Sequence, residues 1–112
     1  MHELSIAENI VEIINENVTG HEAVMRVRIK IGKLANVVLD SLEFCFRAIT
    51  KGTRFENTKL EIENVNILAH CSRCGVDSEI EGFLFQCKSC YGTDVELISG
   101  NELKVVEIEI NN

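Results

Sequence analysis

The chain has 112 residues with no proline, no tryptophan and a single tyrosine, and its 11 basic residues are outnumbered by 18 acidic ones, for a formal net charge of -7. No stretch approaches the roughly 18 to 20 apolar residues that a bilayer-crossing helix needs, which excludes a membrane span. That acidic balance argues against a phosphate-binding surface as the main function, because such surfaces need clustered Lys and Arg. The opening Met1-His2-Glu3, followed by Glu8 and Glu12, lacks the basic head and small-residue cleavage site of a signal peptide. The expected compartment is therefore the cytosol, where thiols stay reduced and paired cysteines serve as metal ligands more often than as disulfides. There is no G-x-S-x-G, no phosphate loop, no internal repeat and no low-complexity segment, so an enzyme is not expected.

What is present reads as a globular fold, with 46% hydrophobic and 26% charged residues. Ile6, Ile10, Ile13 and Ile14 make one apolar stripe, which predicts a helix over Leu4 to Val18 with a capping-box pair at Ser5 and Glu8. Glu8, Glu12 and Glu16 form a row of like charge that reads as a solvated face. Alternation predicts a strand from Ala23 to Ile31. Leu39, Leu42, Cys45, Phe46 and Ile49 predict a second helix, with Asp40 or a neighbour at its start and Cys45 as a buried thiol. A second strand starts at Lys59, and its phase switch near Glu63-Asn64 predicts a bulge. The last strand is expected over Leu103 to Ile110, with Val106, Ile108 and Ile110 alternating against Glu107 and Glu109. The expected class is α+β: a three-stranded sheet with two helices over residues 1–69 and 96–112, plus an inserted zinc-ribbon-like lobe over residues 70–95.

That lobe holds four of the five cysteines. Cys71-Ser72-Arg73-Cys74 and Cys87-Lys88-Ser89-Cys90 are two C-x2-C pairs separated by twelve residues. Two-residue spacing lets both sulfurs of a pair reach one ion while turn N–H groups support the thiolates, and Gly75 supplies a permissive backbone after the first pair. Four thiolates in a tetrahedron suit zinc and leave no open position, so the expected zinc is structural. The gap is shorter than the usual fifteen to twenty or so residues, and a short hairpin around Glu79 to Phe85 would bridge it. A thioredoxin-like redox pair fits poorly, with two pairs and no βαβ pattern. His70 reads as a non-ligating neighbour and His21 as a solvated turn residue.

His2 suggests a second metal. A free α-amine on Met1, the His2 amide nitrogen and the His2 imidazole form fused five- and six-membered chelate rings, which a Glu3 amide or another donor can complete to a square. Ni(II) and Cu(II) prefer such nitrogen squares; zinc does not. Taken alone, a histidine at position 2 is weak evidence.

Met1-His2-Glu3-Leu4-Ser5, an amphipathic helix and a late double C-x2-C together resemble the HypA/HybF nickel metallochaperones of hydrogenase maturation across essentially the whole chain. Phe46 to Thr53 is similar to the family's second-helix ending, and Ser99 to Leu103 to its entry into the last strand. The resemblance implies that His2 is the essential Ni2+ ligand, with Met1 and Glu3 giving backbone or neighbouring donors. It implies that Cys71, Cys74, Cys87 and Cys90 hold Zn2+. It also implies nickel delivery to the large subunit of [NiFe]-hydrogenase in cooperation with the GTPase HypB, and some relatives also supply urease. Lys88 and Leu39 stand where many relatives carry proline, which alters backbone stiffness and no ligand. The alternatives are a zinc-ribbon nucleic-acid module, opposed by Asp77, Glu79, Glu81 and Asp94 around the knuckles, and a plain zinc-stabilised adaptor. Monomer, homodimer and exchange of the terminal strand all stay open.

Overall fold

The computed structural model describes residues 2–81 and 84–111. The isoleucine stripe folds as expected: Glu3–Asn17 forms α1 and buries Ile6, Ala7, Ile10 and Ile14. The Ser5–Glu8 pair does not cap it, because the helix already begins at Glu3 with His2 at the N-cap. Its last turn carries no base. Arg54 supplies one from a distant loop, donating to the carbonyls of Val18 at 2.6 Å and Gly20 at 2.8 Å. A cation there meets the negative end of the helix dipole.

The alternating segment Ala23–Gly32 forms β1, the middle strand of the first sheet. Val27, Ile29 and Ile31 are buried on one face, while Arg26, Arg28 and Lys30 line the other. A 3-10 turn at Lys33–Ala35 leads to α2, Leu39–Thr50, whose buried residues are Leu42, Phe46 and Thr50. Thr50 is buried without penalty because its hydroxyl donates to the Phe46 carbonyl at 2.8 Å. Cys45 is half-buried and packs against the core. The chain returns as β2, Lys59–Val65, parallel to β1, so α2 is the crossover a parallel pair requires.

The phase switch at Glu63-Asn64 is not a bulge. β2 stops at Val65 and β3 runs from Ile67 to Cys71 in a different sheet, so the two halves of the run face different cores. β4, Asp77–Ile80, and β5, Val95–Ser99, flank β3 antiparallel on either side. The expected Glu79–Phe85 hairpin falls partly on residues 82 and 83, outside the described residues; β4 instead pairs back onto β3. Among the described residues the second core is small: Ile67, Ala69 and Ile80, with Leu34, Phe85 and Val95 against it.

The last strand, β6, spans Leu103–Asn111 antiparallel to β1 and completes the first sheet in the order β2-β1-β6. The irregularity expected in β2 occurs here: Arg28 pairs with Glu107 and Ile29 with Val105, so Val106 is bulged out of the ladder. Val105 and Ile108 therefore pack on the core, and Val106 is not inward. The molecule measures 54 × 26 × 16 Å. Among the described residues no helix is long and apolar enough to cross a membrane.

Candidate metal centres

The two cysteine pairs fold into matching knuckles. In the first, Cys71 N–H donates to the Val76 carbonyl at 3.0 Å and Gly75 N–H returns to the Cys71 carbonyl at 3.0 Å. In the second, Cys87 N–H donates to the Gly92 carbonyl at 2.9 Å and Tyr91 N–H to the Cys87 carbonyl at 2.9 Å. The residue after each pair takes a left-handed backbone, Gly75 at φ 74° and Tyr91 at φ 61°. Gly75 announced this turn and Tyr91 did not.

Facing each other, the knuckles bring the four Sγ atoms within 4.8 Å of one another. Cys71 to Cys90 is 3.6 Å and Cys74 to Cys87 is 3.5 Å. Sulfurs about 2.3 Å from a tetrahedral zinc stand about 3.8 Å apart, whereas a disulfide needs about 2.05 Å. The donor set fits a soft tetrahedral cation and leaves no position for a substrate. Cys71 and Cys87 are buried; Cys74 and Cys90 are exposed.

The turn amides prepare the thiols for metal. The Cys90 N–H and then the Ser89 N–H pull Cys87 down to about 6. At Cys71 the Cys74 N–H leads in holding the thiol below its ordinary value, with the Arg73 N–H adding to it. At Cys74 the Val76 N–H pulls the same way, but hydrogen bonding with Cys87, burial, Cys71 and Cys90 outweigh it and push the thiol up to about 11. Four crowded sulfurs cannot all ionise without a cation to share. His70 stays outside: it is exposed, and its Nδ1 lies 2.6 Å from Asp77 Oδ1.

At the other end, His2 is exposed and precedes α1. The first helical bond runs from Ile6 N–H to the His2 carbonyl at 3.2 Å, so the His2 amide lies upstream of the ladder. Glu3 accepts the Val38 N–H at 3.1 Å, tying the start of α1 to the start of α2. That N–H first, and Glu3's own N–H next, hold the carboxyl below its ordinary 4.5. Nothing in the sequence signalled this contact. Met1 lies outside the described residues, and His21 is exposed.

Comparison with known proteins follows the same lines. A family model described as hydrogenase/urease nickel incorporation, metallochaperone, HypA matches residues 1–110. The hydrogenase maturation factor HypA of Geotalea uraniireducens is 39% identical over 110 residues, covering 98% of this chain and 99% of the relative. That of Trichormus variabilis is 42% identical over 110 residues, covering 98% and 96%. The solution structure of the Ni metallochaperone HypA from Helicobacter pylori shares the fold at a TM-score of 0.65 and 19% identity, covering 98% of this chain and 97% of that one. A second HypA solution structure gives a TM-score of 0.70 at 19% identity, covering 99% and 97%. Matched by the family model over residues 1–110 and by relatives about 40% identical over nearly its whole length, the chain belongs to the HypA family of nickel metallochaperones for hydrogenase maturation, which are maturation factors and not enzymes.

Proposed function

We propose that this chain binds Ni(II) at its N-terminus through His2 and delivers it to the large subunit of a [NiFe]-hydrogenase, with Zn2+ held by Cys71, Cys74, Cys87 and Cys90. The observation that carries the nickel reading is the exposed His2 set just before α1, with its amide outside the helical ladder. The ligands are the Met1 amine, the His2 amide and the His2 imidazole. Glu3 contributes a backbone nitrogen, since its carboxylate is engaged at Val38. The domain of α1, α2 and the β2-β1-β6 sheet carries nickel, and the lobe, expected over residues 70–95 and widened by β3 and β5 to Ile67 and Ser99, carries zinc. Zinc supplies cross-linking there, with no chemistry on a substrate. Four thiolates on one zinc add about -2, taking the chain from -7 to about -9.

Delivery requires a site that also lets go. The positive end of the α1 dipole opposes a cation beside it, and the site is exposed, so an acceptor's ligands can enter before all donors leave. Binding displaces the amine proton, whose ordinary pKa is about 7.7 to 8.0, so nickel affinity falls as pH drops. A HypB-type GTPase is the expected partner in transfer, and the cytosol its place. Hydrogenase is the recipient we favour over urease, which the family description also names.

The test uses untagged protein offered nickel and zinc together. We expect one zinc and one exchangeable nickel per chain. His2→Ala, or one residue added before Met1, should weaken nickel by about a hundredfold, close to 3 kcal/mol, with zinc content unchanged. Undiminished nickel affinity in either variant defeats the proposal.

A further inference from the structure

β4 alternates exposed and buried residues, which turns Ser78 and Ile80 inward together. Ser78 lies directly across from Ala69 of β3 and is only 5% exposed. A hydroxyl on the inner face of a strand is costly unless it is partnered, and an apolar side chain would serve the packing better. The partners it has belong to the second knuckle. Lys88 N–H donates to Ser78 Oγ at 3.1 Å, and the hydroxyl stands 3.9 Å from Cys87 Sγ. An amide N–H can only donate, so Ser78 Oγ accepts there and its own proton is left for the sulfur.

The two knuckles are alike in backbone but differ in attachment. Cys71 is the last residue of β3, and Ser72 N–H donates to the carbonyl of Asp94, just before β5, at 2.9 Å. The sheet itself therefore carries the first knuckle. Cys87 belongs to no strand and opens a turn over residues 88–90. Ser78 ties that turn to β4.

We propose that Ser78 is a positioning residue of the four-thiolate centre. Its hydroxyl seats the second knuckle on the sheet and gives the Cys87 thiolate a third donor, beside the N–H groups of Ser89 at 3.4 Å and Cys90 at 3.5 Å. Groups just outside a metal's ligands orient them and tune how tightly they hold. Cys87 is thereby the fixed point of the centre, set at ligating distance before a cation arrives. This rests on the zinc reading of the four cysteines and is independent of nickel.

The test uses the full chain and exploits two substitutions of nearly equal size. Ser78→Thr keeps the hydroxyl and Ser78→Val replaces it with a methyl group, so any extra volume is common to both. Ser78→Val and Ser78→Ala should each bind zinc about tenfold more weakly than wild type, read by competition with a chromogenic chelator, while Ser78→Thr should stay close to wild type. Cobalt in place of zinc gives a second readout. Its thiolate charge-transfer band should move to lower energy in Ser78→Val and hold its wild-type position in Ser78→Thr, because a sulfur that has lost a donor gives up an electron more easily. Equal zinc affinity in the Val and Thr variants, or cobalt bands that coincide in the two, overturns the proposal. Wild type that takes up no zinc overturns the four-thiolate reading itself, and the role of Ser78 with it.

Discussion

Gly32 and Glu102 meet where the chain passes between its two sheets. Gly32 N–H donates to the Glu102 carbonyl and Leu34 N–H to the Gly100 carbonyl, each at 2.8 Å. A Cβ on Gly32 would lie 1.9 Å from the Gly100 oxygen, a backbone atom with no side-chain freedom to yield. Gly32→Ala should therefore cost about 1–3 kcal/mol as the crossing shifts to make room, read as a lower urea midpoint. Glu102 steadies the same turn by accepting the Gly100 N–H at 2.8 Å. Its own N–H and that of Gly100 hold its carboxyl below the ordinary 4.5, with Lys104 and Lys30 adding attraction. A carboxyl depressed in the folded state stabilises above its unfolded pKa and loses that contribution as pH falls through the folded value. Wild type should exceed Glu102→Gln in stability at pH 7, and the gap should close on acidification below pH 4.5. A gap that stays constant with pH would show that the charge plays no part.

Among the elements, α2 supplies the largest fully buried side chain, Phe46. Phe46 is 2% exposed at the centre of the larger core. Phe46→Ala should lose about 3–5 kcal/mol by transfer and cavity terms, measured by urea denaturation. Helices such as α2 were legible because each buries one face at a fixed period, and the four thiols because ligand spacing is local. Other features depended on contacts distant in sequence. The jump at Asn66 looks like a bulge to any local pattern, since leaving one core for another and bulging both reset the phase of alternation. The bulge at Val106 was hidden for the converse reason: Val106, Ile108 and Ile110 alternate cleanly on paper. Arg54 on the end of α1 and Glu3 on Val38 each join residues more than 30 positions apart, where no periodicity reaches.

At the scale of the whole molecule, the radius of gyration is 17.5 Å, against about 13 Å for a compact ball of this length. The excess reflects two bodies in a row with unequal means of support. Among the described residues, one has twelve buried apolar residues in its core and the other three. A core of three residues does not offset the ordering of a lobe, which leaves the thiol cross-link as its main support. Removing zinc with a chelator should melt the β4-β3-β5 sheet while α1, α2 and the β2-β1-β6 sheet persist, giving two separate transitions by NMR or circular dichroism. A single cooperative loss of both would refute this independence. The protein also carries its own optical reporter for the experiment. It has no tryptophan and one tyrosine, and that tyrosine is the left-handed residue of the second knuckle. Phenol emission therefore comes from the thiol lobe alone, so fluorescence follows one body of the molecule without a label while amide signals follow both.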